Sequence, residues 1–272
     1  MNWTVHSNIC YAPEHGAAGM LDLYLPETEA PCPLFIYFHG GGLESGARTD
    51  YTGTFRALSE RGIAVASAEY RLLRFADGHA QLAPDSAQFP DFIADCAQAV
   101  AWLHTHGEEF HAFNAYYIGG SSAGGYLAMM LCLNARWLGR YGLDPMRING
   151  YLFDAGQPTT HFNVLAARGQ DARLVRIDEA APLYWIDHPF DASRPLPRLL
   201  IVYAEFDMTN RPEQTQLLYR TLLHFGYDDA RISLKCMKGY RHCAYCGEPD
   251  VFAPLIAQWI QAEAPHGIAQ NG

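Results

Sequence analysis

The stretch that decides the fold is Tyr117-Ile118-Gly119-Gly120-Ser121-Ser122-Ala123-Gly124-Gly125-Tyr126. Apolar residues at 115–118 predict a short strand, and residues 123–133 carry helix-forming side chains at helical spacing. Between them, Gly120 to Gly124 fits the pattern G-x-S-x-G, in which a serine occupies a strained turn from strand to helix. Side chains two places before and after that serine would collide with the neighbouring strand and helix, so glycine is favoured at both places. The helix that follows is expected to aim its first amides at the serine.

The turn contains two serines, and their spacing from the glycines separates them. Centring the pattern on Ser121 would require glycine at position 123, where the chain has alanine. Ser122 has glycine at both required positions, so it is the predicted nucleophile. A Gly/Ser loop without a function would look the same in isolation, so the other catalytic groups must be found elsewhere in the chain.

Composition argues against several classes of function. Hydrophobic residues make up 49% of the 272 residues and charged residues 18%, which supports a large core. The net charge of -10, with scattered Lys and Arg, argues against nucleic acid or an anionic membrane as a partner. We see no signal-peptide pattern and no segment apolar enough to span a bilayer. Seven cysteines without an obvious framework favour free thiols, so we expect a soluble cytoplasmic protein.

Strand-like and helix-like patterns alternate along nearly the whole chain. This alternation predicts an α/β fold, with a mostly parallel sheet and helices on both faces. Segments 8–11 and 21–24 are expected to form an antiparallel opening, and the apolar run from Leu34 to Phe38 is typical of a buried strand. The other predicted elements are helices near 51–61, 91–109, 214–225 and 251–262, and strands at 63–70, 148–153, 199–203 and 232–236.

Residues 157–197 interrupt this rhythm between two predicted strands. An insertion of this length in a compact domain is more often a lid or a binding element than an idle loop, although a packed surface decoration is the alternative. It follows the carboxyl end of a strand, where open α/β sheets bind ligands. We therefore expect one domain over residues 1–272 with a cap or lid at about 157–197.

A serine nucleophile needs a base, an acid that orients the base, and donors for the developing oxyanion. The turn His39-Gly40-Gly41-Gly42 directly follows the predicted buried strand, and its backbone N–H groups can point into the site. With the amide of Ala123, this turn matches an oxyanion hole built from two sources. His39 itself is expected to hold the turn by hydrogen bonds rather than to act as a base.

The acid and the base are expected after the serine, at the ends of later strands. Asp207 follows the strand at 199–203 and is our choice for the acid, with Glu205 and Asp154 as rivals. Aspartate is common in turns, so this choice rests on topology rather than residue type. Of the twelve histidines, only His242 lies in a loop after the next strand, and it is the predicted base.

Other histidines and a cysteine pair are alternatives to these assignments. His224 falls within a predicted helix, and His266 lies in the C-terminal tail. Cys243-Ala244-Tyr245-Cys246 could suggest a metal site, but no second cysteine pair stands at zinc-finger spacing. The pair could also be a redox motif, yet it follows no thioredoxin-like strand and helix. Neither reading is adopted.

With these residues assembled, the chain resembles the α/β-hydrolase superfamily, and more narrowly the hormone-sensitive-lipase-type esterases and the related small acetyl and feruloyl esterases. The resemblance implies the α/β-hydrolase fold with an eight-stranded sheet, and Ser122, Asp207 and His242 as nucleophile, acid and base. It also implies an oxyanion hole formed by Gly41, Gly42 and the Ala123 amide. It runs from about residue 21 to 260 and rests on His39-Gly40-Gly41-Gly42, Glu69-Tyr70-Arg71-Leu72, Phe89-Pro90 with Asp95, Ala101-Trp102-Leu103, Gly120-Ser121-Ser122-Ala123-Gly124-Gly125, Glu205-Phe206-Asp207 and His242.

Three places depart from the family pattern. Leu43 stands where an aromatic residue often follows H-G-G-G, Ser121 stands where the family often has aspartate, and Cys243-Ala244 replaces glycine and an apolar residue. The candidate substrate-binding residues are Leu43, Tyr184 and Trp185, although the two aromatic side chains could equally pack the insertion onto the core.

The resulting hypothesis is a serine carboxylesterase that hydrolyses short acyl or aryl esters, including acetylated or feruloylated sugars, through an acyl-enzyme. No metal or organic cofactor is expected, and the partner is a small-molecule ester rather than nucleic acid or membrane. An oligomer of identical chains is left open. Two alternatives remain: an amidase or peptidase using the same triad, and a non-catalytic binding protein on the same fold.

Overall fold

An eight-stranded sheet organises the protein. The computed structural model describes residues 2–76, 81–191 and 193–262. Strands β5 and β6 pair only with each other, and the other eight form the sheet in the order β1-β2-β4-β3-β7-β8-β9-β10. In chain order the strands are β1 (Trp3–Cys10), β2 (Met20–Pro26), β3 (Cys32–Phe38), β4 (Ala64–Ala68), β5 (Phe75–Ala76), β6 (Gln81–Leu82), β7 (Phe113–Ser121), β8 (Gly150–Asp154), β9 (Arg198–Phe206) and β10 (Ile232–Arg241).

The direction of the strands matches the prediction. Strand β1 pairs antiparallel with β2, and β2 pairs antiparallel with β4. Every other neighbouring pair in the eight-stranded sheet is parallel. The mostly parallel eight-stranded sheet with an antiparallel opening is therefore confirmed.

Helices cover both faces of the sheet, because successive residues of a strand point to opposite sides. In β3, the side chains of residues 34, 36 and 38 pack in one core with helices α2, α3 and α6, whereas those of 35 and 37 pack in a second core with α1 and α7. None of the described helices is long and apolar enough to cross a membrane. The helices are α1 (Thr52–Ser59), α2 (Asp91–His106), α3 (Ala123–Leu133), α4 (Arg136–Gly139), α5 (Phe162–Ala167), α6 (Arg211–His224) and α7 (Pro249–Gln261).

Several strands extend further than their apolar runs predict. Strand β7 continues to Ser121, β9 to Phe206 and β10 to Arg241. Small or polar residues continue these strands because the backbone ladder with the neighbouring strand continues, as in the pairing of Ser121 with Asp154. The parallel strands consequently end together at one edge, where the predicted catalytic residues lie.

The segment between β8 and β9 contains α5 and a 3-10 turn at Pro182–Trp185. Its first part is buried, including residues 157, 159–161 and 163. Its middle part is exposed, with about half the surface of Leu174, Val175 and Ile177 accessible. The insertion is therefore anchored at its beginning and open to solvent in its middle.

Candidate active site

The turn at Ser122 connects β7 to α3 and has a strained backbone. Ser122 has φ 56° and ψ -113°, a conformation that non-glycine residues rarely adopt. A Cβ on Gly120 would lie 2.3 Å from the Phe38 carbonyl oxygen, and a Cβ on Gly124 would lie 1.9 Å from the same atom. Both glycines are thus required by the close approach of β3 and α3, as the sequence predicts. The turn is held from below by a 2.7 Å hydrogen bond from the Ser122 N–H to the Asp154 carbonyl.

Ser122, His242 and Asp207 lie in one line of hydrogen bonds. Nε2 of His242 is 2.8 Å from Oγ of Ser122, and Nδ1 of His242 is 2.5 Å from Oδ1 of Asp207. Since an ionised carboxylate only accepts, Nδ1 donates to Asp207 and leaves Nε2 free to accept the serine proton. The arrangement is that of a nucleophile, a general base and an acid that orients the base.

Burial and hydrogen bonds set the pKa values of Asp207 and His242. The Asp207 side chain is fully buried and accepts the N–H groups of Ala204 and Met208 at 3.0 Å and 2.8 Å. Burial raises its pKa, but the hydrogen bonds from His242 and these backbone groups outweigh that effect, so the pKa lies below its usual value. For His242, burial lowers the pKa, while Asp207 and Cys243 raise it, and the net pKa lies well above the ordinary 6.5. The surroundings of His242 therefore stabilise the imidazolium that forms when Nε2 takes a proton, next to the Asp207 carboxylate.

The glycine turn after β3 lies directly against the nucleophile. A Cβ on Gly40 would be 3.3 Å from the Ser122 Cβ, and Gly41 has φ +99° with Ser45 backbone only 2.1 Å from where its Cβ would be. Within residues 2–76, 81–191 and 193–262, no hydrogen-bond acceptor takes the N–H of Gly41, Gly42 or Ala123. Three amide donors beside Ser122 are thus available for an oxyanion.

Two side chains hold this turn in place. A ring nitrogen of His39 donates to the Gly40 carbonyl at 2.8 Å, the other ring nitrogen lies 3.1 Å from Glu69, and the ring stacks on Tyr70 with centroids 4.4 Å apart. The amide of Asn163 donates to the Gly42 carbonyl at 2.7 Å. The positioning role of His39 agrees with the prediction. Asn163 was not identified from the sequence, because a single asparagine after a long loop carries no motif.

The rival acids have other partners. Glu205 accepts from Lys238 at 3.1 Å and from the Gly239 N–H at 2.9 Å, and its side chain is exposed. Asp154 lies beneath the turn at Ser122, which we call the elbow. There it accepts hydrogen bonds from Tyr245 and Cys246. Of the rival bases, His224 ends α6, and His266 lies outside the described residues.

A buried polar cluster supports the elbow from beneath. We call it the sub-elbow cluster; it consists of Tyr37, Ser121, Asp154, Tyr245 and Cys246. The Tyr37 hydroxyl donates to Ser121 Oγ at 2.6 Å, and the Cys246 thiol lies 3.3 Å from Ser121 Oγ and 3.1 Å from Asp154 Oδ2. Burial raises the pKa of Asp154 to about 6, against the hydrogen bonds that it accepts. Ser121 thus has a structural place in this cluster.

A cavity of about 520 Å³ lies next to the glycine turn and to the residues after Asp207. Phe162 borders both, since its Cζ is 3.5 Å from where a Cβ on Gly42 would lie. Amide, guanidinium and apolar side chains are mixed on its wall, so it can receive a group that is partly polar. Its lining residues are Gln157, Phe162, Ala172, Arg173, Leu174, Met208, Thr209, Asn210, Arg211 and Gln214.

The structure corrects the expected substrate-binding residues. Leu43 is fully buried, and its side chain packs in the core instead of facing solvent. Trp185 packs against the core and beside Arg136, which follows the far end of α3 from Ser122. Tyr184 contacts Trp185 with ring centroids 5.1 Å apart, and neither lines the described cavity. Trp185 thus packs the insertion onto the core, the alternative that the sequence left open, whereas about half the surface of Tyr184 is exposed.

Comparisons with known proteins agree with this fold. Residues 21–139 match the family model BD-FAE. Esterase LipI of Mycobacterium tuberculosis is 33% identical over 132 residues, which cover 46% of this chain and 38% of LipI. Esterase B from Lactobacillus rhamnosis has a TM-score of 0.72 at 20% identity, covering 93% of this chain and 83% of that chain. A truncated carbohydrate esterase from gut microbiota has a TM-score of 0.72 at 16% identity, covering 94% and 95%.

These matches cover only part of the curated relatives but nearly all of the fold. The chain spans about two fifths of the length of the curated relatives that it matches, 38% of LipI and 40% of the carboxylic ester hydrolase LipN. The solved structures establish the fold, which is that of the α/β-hydrolases. The expected resemblance to esterases of this fold is confirmed.

Proposed function

We propose that this α/β-hydrolase-fold protein is a serine carboxylesterase that cleaves short acyl or aryl esters. The observation that carries the proposal is the line of hydrogen bonds from Ser122 through His242 to Asp207, with distances of 2.8 Å and 2.5 Å. Relatives named as esterases support the choice of ester hydrolysis. A non-catalytic protein would have no need for this alignment beside three free amide donors.

The reaction follows from the position of each group. Nε2 of His242 takes the Ser122 proton as the serine oxygen attacks the ester carbonyl, and Asp207 stabilises the imidazolium that forms. The amides of Gly41, Gly42 and Ala123 hold the tetrahedral oxyanion. His242 then protonates the departing alcohol, and water cleaves the acyl-enzyme by the same steps in reverse.

The test is replacement of the nucleophile. In Ser122→Ala, hydrolysis of p-nitrophenyl acetate should fall to the buffer rate, a loss of about 10⁶-fold in kcat by analogy with other serine hydrolases, and labelling by a fluorophosphonate probe should disappear. The neighbouring Ser121→Ala provides the matched control, because its hydroxyl points into the sub-elbow cluster and should leave labelling intact. Retained hydrolysis or labelling in Ser122→Ala would refute the proposal.

The substrate class is proposed from the cavity. Its wall combines apolar Phe162, Leu174 and Met208 with polar Gln157 and Asn210, which suits a small ester that carries hydroxyl groups. The similarity in fold to a carbohydrate esterase makes acetylated or feruloylated sugars the first choice. Rates should be compared along an acyl series from acetate to octanoate, on acetylated xylan and methyl ferulate, and on an amide with a matched acyl group. Faster cleavage of the amide would favour the amidase alternative instead.

We also propose that residues 157–197 form a cap within one domain. Its buried first part reaches the oxyanion turn through Asn163, and its exposed middle part lines the cavity through Leu174. The cytoplasmic location favoured by the cysteine content stays a prediction.

A further inference from the structure

The pair Cys243 and Cys246, which the esterase mechanism does not use, lies immediately after the catalytic base. The Cys246 N–H donates to the Cys243 carbonyl at 3.1 Å, closing a turn in which Cys243 has φ 53°. In such a turn the first and fourth Cα atoms lie within about 7 Å. Disulfides join Cα atoms that are about 4.4–6.8 Å apart, so the turn brings the two Cα atoms close to the separation that a disulfide spans. The two sulfurs lie within 4.8 Å of each other.

The two thiols differ in the way that attacking and resolving thiols differ. Cys243 is half-buried, whereas Cys246 is buried. The neighbouring Cys246 and His242 side chains lower the pKa of the Cys243 thiol against the effect of burial. Burial raises the pKa of Cys246. Cys243 is therefore the more readily ionised of the two thiols, and the one expected to react first.

A metal ion suits this place less well than a bond between sulfurs. Ligand atoms of Asp154, Cys243 and Cys246 lie within 4.8 Å of one another. However, a structural zinc site takes four protein ligands, and the Asp154 carboxylate already accepts from Tyr245 and Cys246. A cation would have to displace these donors, whereas a disulfide needs only the two sulfurs.

We propose that Cys243 and Cys246 form a redox-active dithiol that a small disulfide, such as glutathione disulfide, converts to an internal disulfide. The Cys243 thiolate attacks one sulfur of the reagent and releases the first small thiolate, leaving a mixed disulfide. The Cys246 thiol passes its proton to Asp154, its hydrogen-bond partner at 3.1 Å. Its sulfur then attacks the Cys243 sulfur and releases the second thiolate. The protein loses two electrons and two protons, and the reagent gains them as two thiols.

Oxidation would act on the base because Cys246 is held by several contacts and Cys243 directly follows His242 in the chain. The Cys246 carbonyl accepts from Thr54 Oγ1 at 2.8 Å, and its thiol is held in the sub-elbow cluster. Cys243 must therefore move toward Cys246 to form the bond, and it pulls the adjacent His242 with it. Cys243, which raises the pKa of His242 as its neighbour, moves away from its present position at the same time. The effect on activity rests on the proposed esterase function, whereas formation of the disulfide does not.

The test treats the full chain with glutathione disulfide and measures two quantities. Peptide mass spectrometry without reduction should find the peptide containing both cysteines lighter by two hydrogen atoms. Hydrolysis of p-nitrophenyl acetate should fall about tenfold, since a catalytic group misplaced by about 1 Å can cost more than that. Dithiothreitol should reverse both changes.

Two variants sharpen the test. Cys246→Ser keeps a donor to Asp154 but removes the resolving sulfur, so glutathione should accumulate on Cys243. Cys10→Ser removes an exposed thiol elsewhere and should behave as the wild type. Glutathione on wild-type Cys243 without an internal disulfide would contradict the dithiol, and an internal disulfide with an unchanged rate would contradict its effect on His242. A reduced protein without esterase activity would contradict the proposed function instead, and the mass measurement would still decide on the dithiol.

Discussion

Two acidic residues lie at the end of β9, Glu205 within the strand and Asp207 directly after it, and their surroundings separate their roles. Asp207 is buried and points at His242, whereas Glu205 is exposed and pairs with Lys238. The sequence favours Asp207 by its position in the topology, but Glu205 remains a rival because both stand at the end of the same strand. The geometry favours Asp207 as the orienting acid.

The first prediction compares the two carboxylates. Asp207→Asn removes the acceptor that fixes the tautomer of His242, and kcat should fall by about 10⁴-fold, as in other triads. Glu205→Gln serves as the matched control and should leave kcat within a factor of about two, since its ion pair is exposed. Steady-state hydrolysis of p-nitrophenyl acetate measures both. A larger loss in Glu205→Gln than in Asp207→Asn would exchange the assignments.

The second prediction concerns pH. Only neutral His242 can take the serine proton, and Asp207 and Cys243 raise its pKa above 6.5. The neutral fraction therefore grows as pH rises through the raised pKa, so kcat/KM should increase with pH and reach half its maximum above 6.5. The profile is measured with Ser122→Ala as the blank for spontaneous hydrolysis. Cys243→Ser should move the midpoint toward acid; a wild-type midpoint at or below the ordinary value would count against this environment.

The role of a single residue can be predicted from the sequence where the residue belongs to a motif. Ser122 and the glycines around it are constrained by close backbone contacts, and such constraints leave a readable pattern. Asn163 acts through one hydrogen bond across 121 positions of sequence, and no local pattern records it. Trp185 packs against the core, because an aromatic side chain in an insertion serves a core as readily as a ligand and the sequence does not distinguish the two.

At the scale of elements, α5 and the turn after β3 form one unit. The amide of Asn163, in α5, is 2.7 Å from the Gly42 carbonyl, and this is the contact that fixes the turn from the insertion side. The order of strands could be predicted from the alternation of apolar segments, but this contact depends on how the insertion folds back over the sheet.

The third prediction tests that unit. Asn163→Ala should lower kcat about tenfold with little change in KM, because the oxyanion donors lose their support while the cavity remains. Asn163→Asp should lose as much, since an ionised carboxylate cannot donate. Asn114→Ala is the matched control: Asn114 also donates to a backbone carbonyl, that of Pro31, but near the opposite end of β7. An equal loss in Asn114→Ala would indicate a general effect on folding.

At the scale of the whole molecule, the sub-elbow cluster places an ionisable group at the centre of the fold. Asp154 is fully buried, and its pKa of about 6 exceeds the 3.8 of an exposed carboxyl. A carboxyl whose pKa is raised on folding contributes stability that is complete below the unfolded pKa and is lost as pH rises through the folded pKa. The difference between the unfolded and folded pKa values corresponds to a change in the free energy of unfolding of about 3 kcal/mol at most.

The fourth prediction follows from this loss of stability with rising pH. Urea denaturation of the wild type and of Asp154→Asn should be compared near pH 4 and near pH 7. The wild type should lose stability relative to the variant as pH rises, by about 2–3 kcal/mol, because only the wild type must bury the carboxylate charge. Parallel pH dependence in the two proteins would show that Asp154 is not a source of it.

The insertion also has a natural boundary for loop transplantation. An ion pair between Arg168 and Asp178, 2.8 Å apart, closes the base of the exposed segment 169–177. Segments exchanged between these two residues alter part of the cavity wall, including Leu174, and leave Asn163 with its hold on Gly42. Chimeras cut at the end of β8 and the start of β9 would instead exchange Asn163, and its contact with Gly42, together with the cavity wall. Exchanges made at this ion pair therefore change the cavity wall while the contact between Asn163 and Gly42 is kept.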